Sequence, residues 1–233
     1  IMPDVGDSWY VNWVQSGGEE KNDWEDYITK DLIGFVDGHY RTVASREGRA
    51  IDGFSMGGYG ALTLGFLHPD LFCSVNSHSG ALRFMDRLRA HLNGEGVDPL
   101  IVDPKKTAER KEEAEGSNSL KGRTPQGRMV TTLEECDAID PFHLVLAVPP
   151  DRLPDIRIDC GLNENLFEYS RKFAELLMER RIPFTYAQAP GRHNGENWSR
   201  AVKHSMAHQF AVMIKQLGGV LPDDPAETKS LPQ

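Results

Sequence analysis

Several features that would mark a function class are scarce or missing in this sequence of 233 residues. Three cysteines are too few for a disulfide framework, and Cys73 and Cys160 read as small hydrophobic residues in buried strands. No apolar run approaches membrane-spanning length, and no signal peptide is visible. Basic residues are the minority, 26 Lys+Arg against 35 Asp+Glu, which argues against nucleic acid as a partner. The sequence therefore favours one globular domain with no membrane or nucleic-acid partner, in a compartment left open.

The most informative stretch is residues 51–62, Ile-Asp-Gly-Phe-Ser-Met-Gly-Gly-Tyr-Gly-Ala-Leu. It places Ser55 between Gly53 and Gly57, where an apolar strand ends and a helix begins. A serine exposed on so sharp a turn needs small residues two before and two after it, because strand and helix approach closely there. A plain glycine-rich turn gives no reason for a serine at the strained position. The pattern predicts a nucleophile elbow, with the Met56 N–H pointing at the developing oxyanion.

A serine nucleophile requires a histidine base and a carboxylate that orients the histidine. In folds that present the serine on such an elbow, the three residues follow one another in the chain in the order serine, acid, histidine. Glu164 lies on a loop just after the predicted strand at residues 155–161. Open α/β sheets build their sites at this carboxyl edge. Glu164 is therefore a candidate for the acid.

His193 follows a second predicted strand, at residues 182–187, and is the predicted base. His78 is the rival, because it ends the strand after the elbow and could border the same pocket, but it precedes the acid in the chain. His204 and His208 are spaced i,i+4 as in some zinc sites, yet no neighbouring Glu or third ligand accompanies them. We therefore predict no metal and no organic cofactor.

Further motifs combine with the elbow: Met2-Pro3-Asp4, Ser8-Trp9-Tyr10, His68-Pro69-Asp70-Leu71-Phe72, Asp159-Cys160-Gly161, and Pro190-Gly191-x-His193 with Trp198. Together, over about residues 1–80 and 150–217, they resemble the esterase D and feruloyl esterase-like group of α/β-hydrolases. That group is similar in fold to S-formylglutathione hydrolases, acetylxylan and feruloyl esterases and mycolyltransferases. The resemblance implies a mostly parallel sheet flanked by helices, with Ser55, Glu164 and His193 as nucleophile, acid and base. The family more often has Asp at the position of Glu164, and Asp159 remains an alternative acid.

The resemblance also implies several strands before the elbow strand, of which at most the tail, Ile1-Met2, is present. We expect the N-terminal strands to be missing, which would leave the elbow strand at a sheet edge and favour self-association into a homo-oligomer. Residues 1–218 are predicted to form the α/β-hydrolase domain, with an insert at about 82–146 that is either a surface loop or a lid. The tail at 219–233 is predicted to be disordered.

Aromatic residues near the start of the chain are candidates for substrate binding. In the resembling family the loop with Trp9, Tyr10 and Trp13 borders the acyl pocket, and core packing is nearly as well supported for Trp13. Trp198, five residues after His193, is a further candidate for substrate binding, since it either covers the base or anchors the last helix.

These predictions describe a serine carboxylic ester hydrolase that acts on a small acyl ester of acetyl, short-chain or feruloyl type. The substrate is either a small molecule or an ester linked to carbohydrate. Three alternatives remain open: an acyltransferase or a thioester hydrolase with the same triad, and a non-catalytic binding protein of the same fold.

Overall fold

The computed structural model describes residues 1–17, 21–100 and 125–219. In chain order its strands are β1 (Gln15–Ser16), β2 (Ala50–Phe54), β3 (Ser74–His78), β4 (Gly127–Arg128), β5 (Asp155–Gly161) and β6 (Thr185–Ala189). Four of them form a parallel sheet in the order β2-β3-β5-β6, and β1 pairs with β4 in a small antiparallel sheet. The predicted parallel α/β architecture is confirmed.

The helices follow the strands on both faces of the sheet, as parallel connections require. They are α1 (Trp24–Asp26), α2 (Ile33–His39), α3 (Met56–Leu67), α4 (Arg83–Leu92), α5 (Leu133–Asp137), α6 (Pro141–Ala147), α7 (Phe167–Glu179) and α8 (Gly195–Gln216). A π-helical segment, Tyr27–Leu32, joins α1 to α2, and a 3-10 turn, Arg46–Gly48, precedes β2.

One face of the sheet is apolar and packs against α3. Val75 of β3 lies beside Ile156 of β5 in register, and both are buried in the main core. Gly65 lets α3 approach the sheet closely, because a Cβ there would lie 2.1 Å from Val75 Cγ1. This contact sets the distance between α3 and the sheet, and it therefore positions the turn that precedes α3.

The other face of the central strands is polar although it is buried. Asn76 and His78 of β3 lie opposite Arg157 and Asp159 of β5, and α8 covers them through Ser205. Buried polar groups must bond to one another to offset their lost hydration. The strands are therefore held to α8 by a hydrogen-bond network rather than by an apolar layer.

Some predictions concern parts of the chain outside the described residues. The charged part of the insert, 101–124, and the tail from residue 220 are among them, so the lid and the disordered tail stay predictions. The described part of the insert contains α4, β4, α5 and α6.

Within the sheet described, β2 lies at one edge, and the expected self-association stays a prediction. None of the helices in the described ranges is both long and apolar enough to cross a bilayer.

Candidate active site

Ser55 occupies a sharp turn between β2 and α3. Its φ of 55° and ψ of −115° lie outside the regions that L-residues ordinarily adopt. The backbone is held there from both sides, since Ser55 N–H donates to the His78 carbonyl at 2.9 Å and the Ala81 N–H donates to the Ser55 carbonyl at 2.9 Å. A Cβ at Gly53 would lie 2.2 Å from the Gly57 carbonyl oxygen, so the turn requires glycine at that position. The side chain of Ser55 is thereby presented at the carboxyl edge of the sheet.

His193 and Glu164 meet Ser55 at this edge. His193 Nε2 lies 2.9 Å from Ser55 Oγ, and His193 Nδ1 lies 2.7 Å from Glu164 Oε2. When Nδ1 donates its proton to the carboxylate, Nε2 is left as an acceptor for the serine hydroxyl. The structure thus brings these three side chains into one hydrogen-bonded series, although 138 and 29 residues separate the pairs in sequence.

Glu164 is held by two further hydrogen bonds, both to Oε1. Ser79 Oγ and the Gly161 N–H each donate to it at 2.7 Å. Burial alone would raise the pKa of Glu164, but the hydrogen bonds from His193, Ser79 and Gly161 outweigh burial and lower it. The carboxylate is therefore kept ionised, and its second oxygen is left to face His193.

Ser79 is a site residue that sequence reasoning did not select. It directly follows β3 and has a φ of 47°, an uncommon conformation for a residue other than glycine. Its position immediately after a central parallel strand, at the edge where Ser55 and Glu164 were already placed, is the signal that would have found it.

His78 and Asp159, the alternative base and acid, contact each other instead. They are register partners on β3 and β5, and His78 Nδ1 lies 2.7 Å from Asp159 Oδ2. His78 Nε2 faces Ser205 Oγ at 3.0 Å and Asp52 at 3.2 Å. Burial acts to lower the pKa of His78, but hydrogen bonds to Asp159 and Asp52 raise it to about 9. This pair forms a charged centre beneath α8 and is not hydrogen-bonded to Ser55 Oγ or His193.

Trp198 lies against the imidazole of His193. Their rings meet edge to face, with centroids 4.9 Å apart, and Trp198 also stacks on Phe54 at 5.4 Å. Phe54 in turn stacks on His78 at 4.7 Å. Trp198 therefore covers the histidine and, as part of α8, joins that helix to β2, the strand that precedes Ser55.

Trp9 and Tyr10 share an unusual backbone conformation, with φ values of 60° and 62°. Trp9 stacks on Phe84 at 3.5 Å and lines a cleft of about 250 Å³. Tyr10 lines a different cleft, of about 370 Å³, along β2. Trp13 is buried, and its Nε1 donates to the Ser8 carbonyl at 3.0 Å, which places it in the core.

Two further sequence features are the histidines spaced i,i+4 and the three cysteines. His208 Nε2 lies 2.6 Å from Asp155 Oδ1, and the three cysteines are free and buried. Among the described residues, no group of three or more His, Cys, Asp or Glu side chains is arranged to hold a metal ion.

Comparison with known proteins places this geometry in context. A sequence profile described as "Putative esterase" matches residues 1–215. The chain is 42% identical over 201 residues to Esterase Rv1288 of Mycobacterium tuberculosis, covering 83% of this chain and 41% of that protein. It is 34% identical over 87 residues to the diacylglycerol acyltransferase/mycolyltransferase Ag85A of Mycobacterium leprae, which covers 35% of this chain and 26% of that one.

In fold, the chain is similar to FphF, a fluorophosphonate-binding serine hydrolase of Staphylococcus aureus. The TM-score is 0.63 at 22% identity, over 89% of this chain and 69% of that one. At this identity the likeness establishes the α/β-hydrolase fold alone. The chain spans about two fifths of the length of the curated esterase that it matches.

Proposed function

The chain belongs to the putative esterase family, and from that premise we propose that it is a serine carboxylic ester hydrolase working through an acyl-enzyme. The observation that carries the proposal is the hydrogen-bonded series from Ser55 Oγ through His193 to Glu164, at 2.9 and 2.7 Å. This arrangement supplies a nucleophile, a base and an orienting carboxylate.

In the proposed reaction, His193 Nε2 takes the proton of Ser55 as Oγ attacks the ester carbonyl carbon. Glu164 stabilises the imidazolium that results. The Met56 N–H begins α3, where helix geometry leaves it without an intrahelical acceptor, and it donates to the oxyanion. His193 then passes the proton to the departing alcohol, and water, activated by the same histidine, releases the acid and restores Ser55.

The proposed substrate is a small acyl ester of acetyl, short-chain or feruloyl type, free or linked to carbohydrate. No organic cofactor takes part in any step. Trp9 lies in a cleft next to the triad and is proposed to contact the substrate. Tyr10, which lies against Gly57 and Gly60, and Trp198, which lies against His193, are also proposed to bind the substrate.

The nucleophile is tested by covalent labelling. A fluorophosphonate probe should modify Ser55, located by peptide mass spectrometry, and Ser55→Ala should abolish both labelling and hydrolysis of 4-nitrophenyl acetate. Labelling of another serine, or turnover that survives the substitution, would contradict the assignment.

The acid and base are tested by matched pairs. We expect His193→Ala to reduce kcat about as much as Ser55→Ala, and Glu164→Gln to reduce it somewhat less, because the three act as a unit. Asp159→Asn, which alters the buried pair with His78, should lower thermal stability but spare kcat below the melting temperature. The reverse ranking of the two acid variants would make Asp159 the functional carboxylate.

Acyl transfer is a second candidate, favoured by the partial similarity to an acyltransferase/mycolyltransferase. The same acyl-enzyme would then pass its acyl group to an alcohol instead of water. Adding a sugar or glycerol acceptor during 4-nitrophenyl ester turnover distinguishes the two, because a transferase forms the new ester faster than the free acid. A folded protein that neither turns over esters nor reacts with the probe would indicate a binding function.

A further inference from the structure

The cleft that contains Trp9, which we call the α4 cleft, has charged residues to which the proposed reaction gives no role. Its volume is about 250 Å³. The stacked rings of Trp9 and Phe84 and the side chain of Leu166 form its apolar part, and Arg83 and Arg87 form its polar part together with Asn165. The cleft thus combines a flat aromatic surface with two guanidinium groups.

Two connections place the α4 cleft next to Ser55. Ala81, which lines the cleft, donates its N–H to the Ser55 carbonyl at 2.9 Å. Asn165, which also lines the cleft, directly follows Glu164 in the chain. The cleft therefore adjoins the position of an ester carbonyl bound at Ser55.

The two arginines carry charge that the described part of the protein does not neutralise. Arg83 and Arg87 are exposed, one turn apart on α4, and neither forms an ion pair with a described residue. Arg89 on the same helix is different, since it contacts Asp137 and Asp140 at 2.6 Å. The adjacent carboxylate of Glu164 is already occupied by His193, Ser79 and the Gly161 N–H.

This local positive charge stands in a chain whose formal net charge is −9. A neutral acyl or alcohol group would need only the apolar surface of Trp9 and Phe84. Two exposed arginines that line the same cleft instead match a carboxylate, phosphate or sulfate, which arginine binds through two parallel N–H···O hydrogen bonds. The aromatic pair would pack against the carbon skeleton that carries the anion.

We propose that the α4 cleft is a substrate subsite that selects esters bearing an anionic group, with Arg83 and Arg87 as the specificity-determining residues. The proposal rests on the proposed esterase function of Ser55. The negative charge is carried by either the acyl or the alcohol part of the ester, and the shared chemistry is an anion recognised next to the scissile carbonyl.

The experiment compares kcat/KM for matched neutral and anionic esters. The acyl arm uses 4-nitrophenyl butyrate against 4-nitrophenyl hemisuccinate, and the alcohol arm uses phenyl acetate against 3-acetoxybenzoate. We expect one arm to favour its anionic member, and the preference to weaken as salt is raised. The arm that responds identifies which end of the ester enters the cleft.

The variants are Arg83→Gln, Arg87→Gln and the double variant, with Arg180→Gln as the matched control. Arg180 is equally exposed but follows the far end of α7, about 20 Å from the cleft at 1.5 Å per helical residue. Each cleft variant should lower kcat/KM for the preferred anionic ester by about three- to tenfold, as expected for a partly exposed charged hydrogen bond. The neutral ester should change less than twofold, and the control should change neither.

A binding measurement keeps this inference separate from the proposed function. Saturation-transfer NMR compares benzoate with the neutral benzamide, and benzoate binding that disappears in the double variant supports the α4 cleft even if no ester is hydrolysed. Ester hydrolysis with no preference for anions in either arm overturns the inference while leaving the esterase function intact. An equal loss in Arg180→Gln, or benzoate binding unaffected by the double variant, also overturns it.

Discussion

Removing the hydroxyl of Ser79 should make the proposed esterase activity more sensitive to acid. Ser79 is a positioning residue, because it contacts Glu164 and not the reacting atoms. The substitution of choice is Ser79→Gly, since glycine adopts the φ of 47° without strain whereas alanine would not. The change removes one of the two donors to Glu164 Oε1 and leaves the Gly161 N–H in place.

The size of the effect follows from the burial of Glu164, whose side chain is 1% exposed. A hydrogen bond to a buried charged group contributes about 1.5–3 kcal/mol, and 1.36 kcal/mol corresponds to one pKa unit. The pKa of Glu164, now held below its usual value, should therefore rise when this donor is removed, and it should rise less if water enters the vacated space.

The assay is kcat/KM for a neutral ester between pH 5 and 8. Near pH 7.5 Glu164 stays ionised in both proteins, and we expect a loss of about tenfold or less from poorer orientation of His193. As the pH falls, the variant protonates Glu164 first, and a neutral carboxyl cannot stabilise the imidazolium. The ratio of wild-type to variant kcat/KM should therefore grow at acidic pH.

Ser77→Ala is the matched control. Ser77 is also fully buried, two residues earlier on β3, and its hydroxyl has no hydrogen-bond partner among the described residues. Its pH profile should match that of the wild type. A wild-type to Ser79→Gly ratio that is constant with pH would refute the reasoning, as would the same acid sensitivity in Ser77→Ala.

Two further predictions concern stability. The pKa of His78 is raised to about 9 in the folded protein, whereas the pKa of a histidine in the unfolded chain is near 6.5. The charged hydrogen bonds of His78 therefore stabilise the fold fully below about pH 6.5, and this stabilisation is lost as the pH rises through about 9. Urea unfolding should show a decline of up to about 3 kcal/mol over that window, and an equal decline in His78→Gln would contradict it. Gly65→Ala should destabilise by about 1–3 kcal/mol, because the new methyl group meets Val75. Gly34→Ala, where α2 leaves nothing within 4 Å, should instead raise the melting temperature slightly, and the opposite order would refute the packing argument.

The sequence by itself determined the turn at Ser55 and the strands around it, and its resemblance to α/β-hydrolases implied that these strands run parallel. The elbow can be recognised locally, because its steric demand is met by residues within two positions of the serine. Gly53 shows this directly, since a side chain there would collide with Gly57. The strands were predictable for a similar reason, because short runs bounded by turn residues carry their own signal.

Only the tertiary structure decided which carboxylate faces which imidazole. From the sequence, Asp159 and Glu164 were both candidate acids, and His78 and His193 both candidate bases. The register between β3 and β5 places Asp159 opposite His78 and buries the pair beneath α8, while Glu164 leaves the sheet edge on a loop and meets His193.

The contact of Ser79 with Glu164 joins residues 85 positions apart and has no counterpart in any local pattern. The steric demands of a turn involve only neighbouring residues, so a local sequence can reveal them. The pairing of charged side chains depends on strand register and helix placement, which are determined by packing of the whole core.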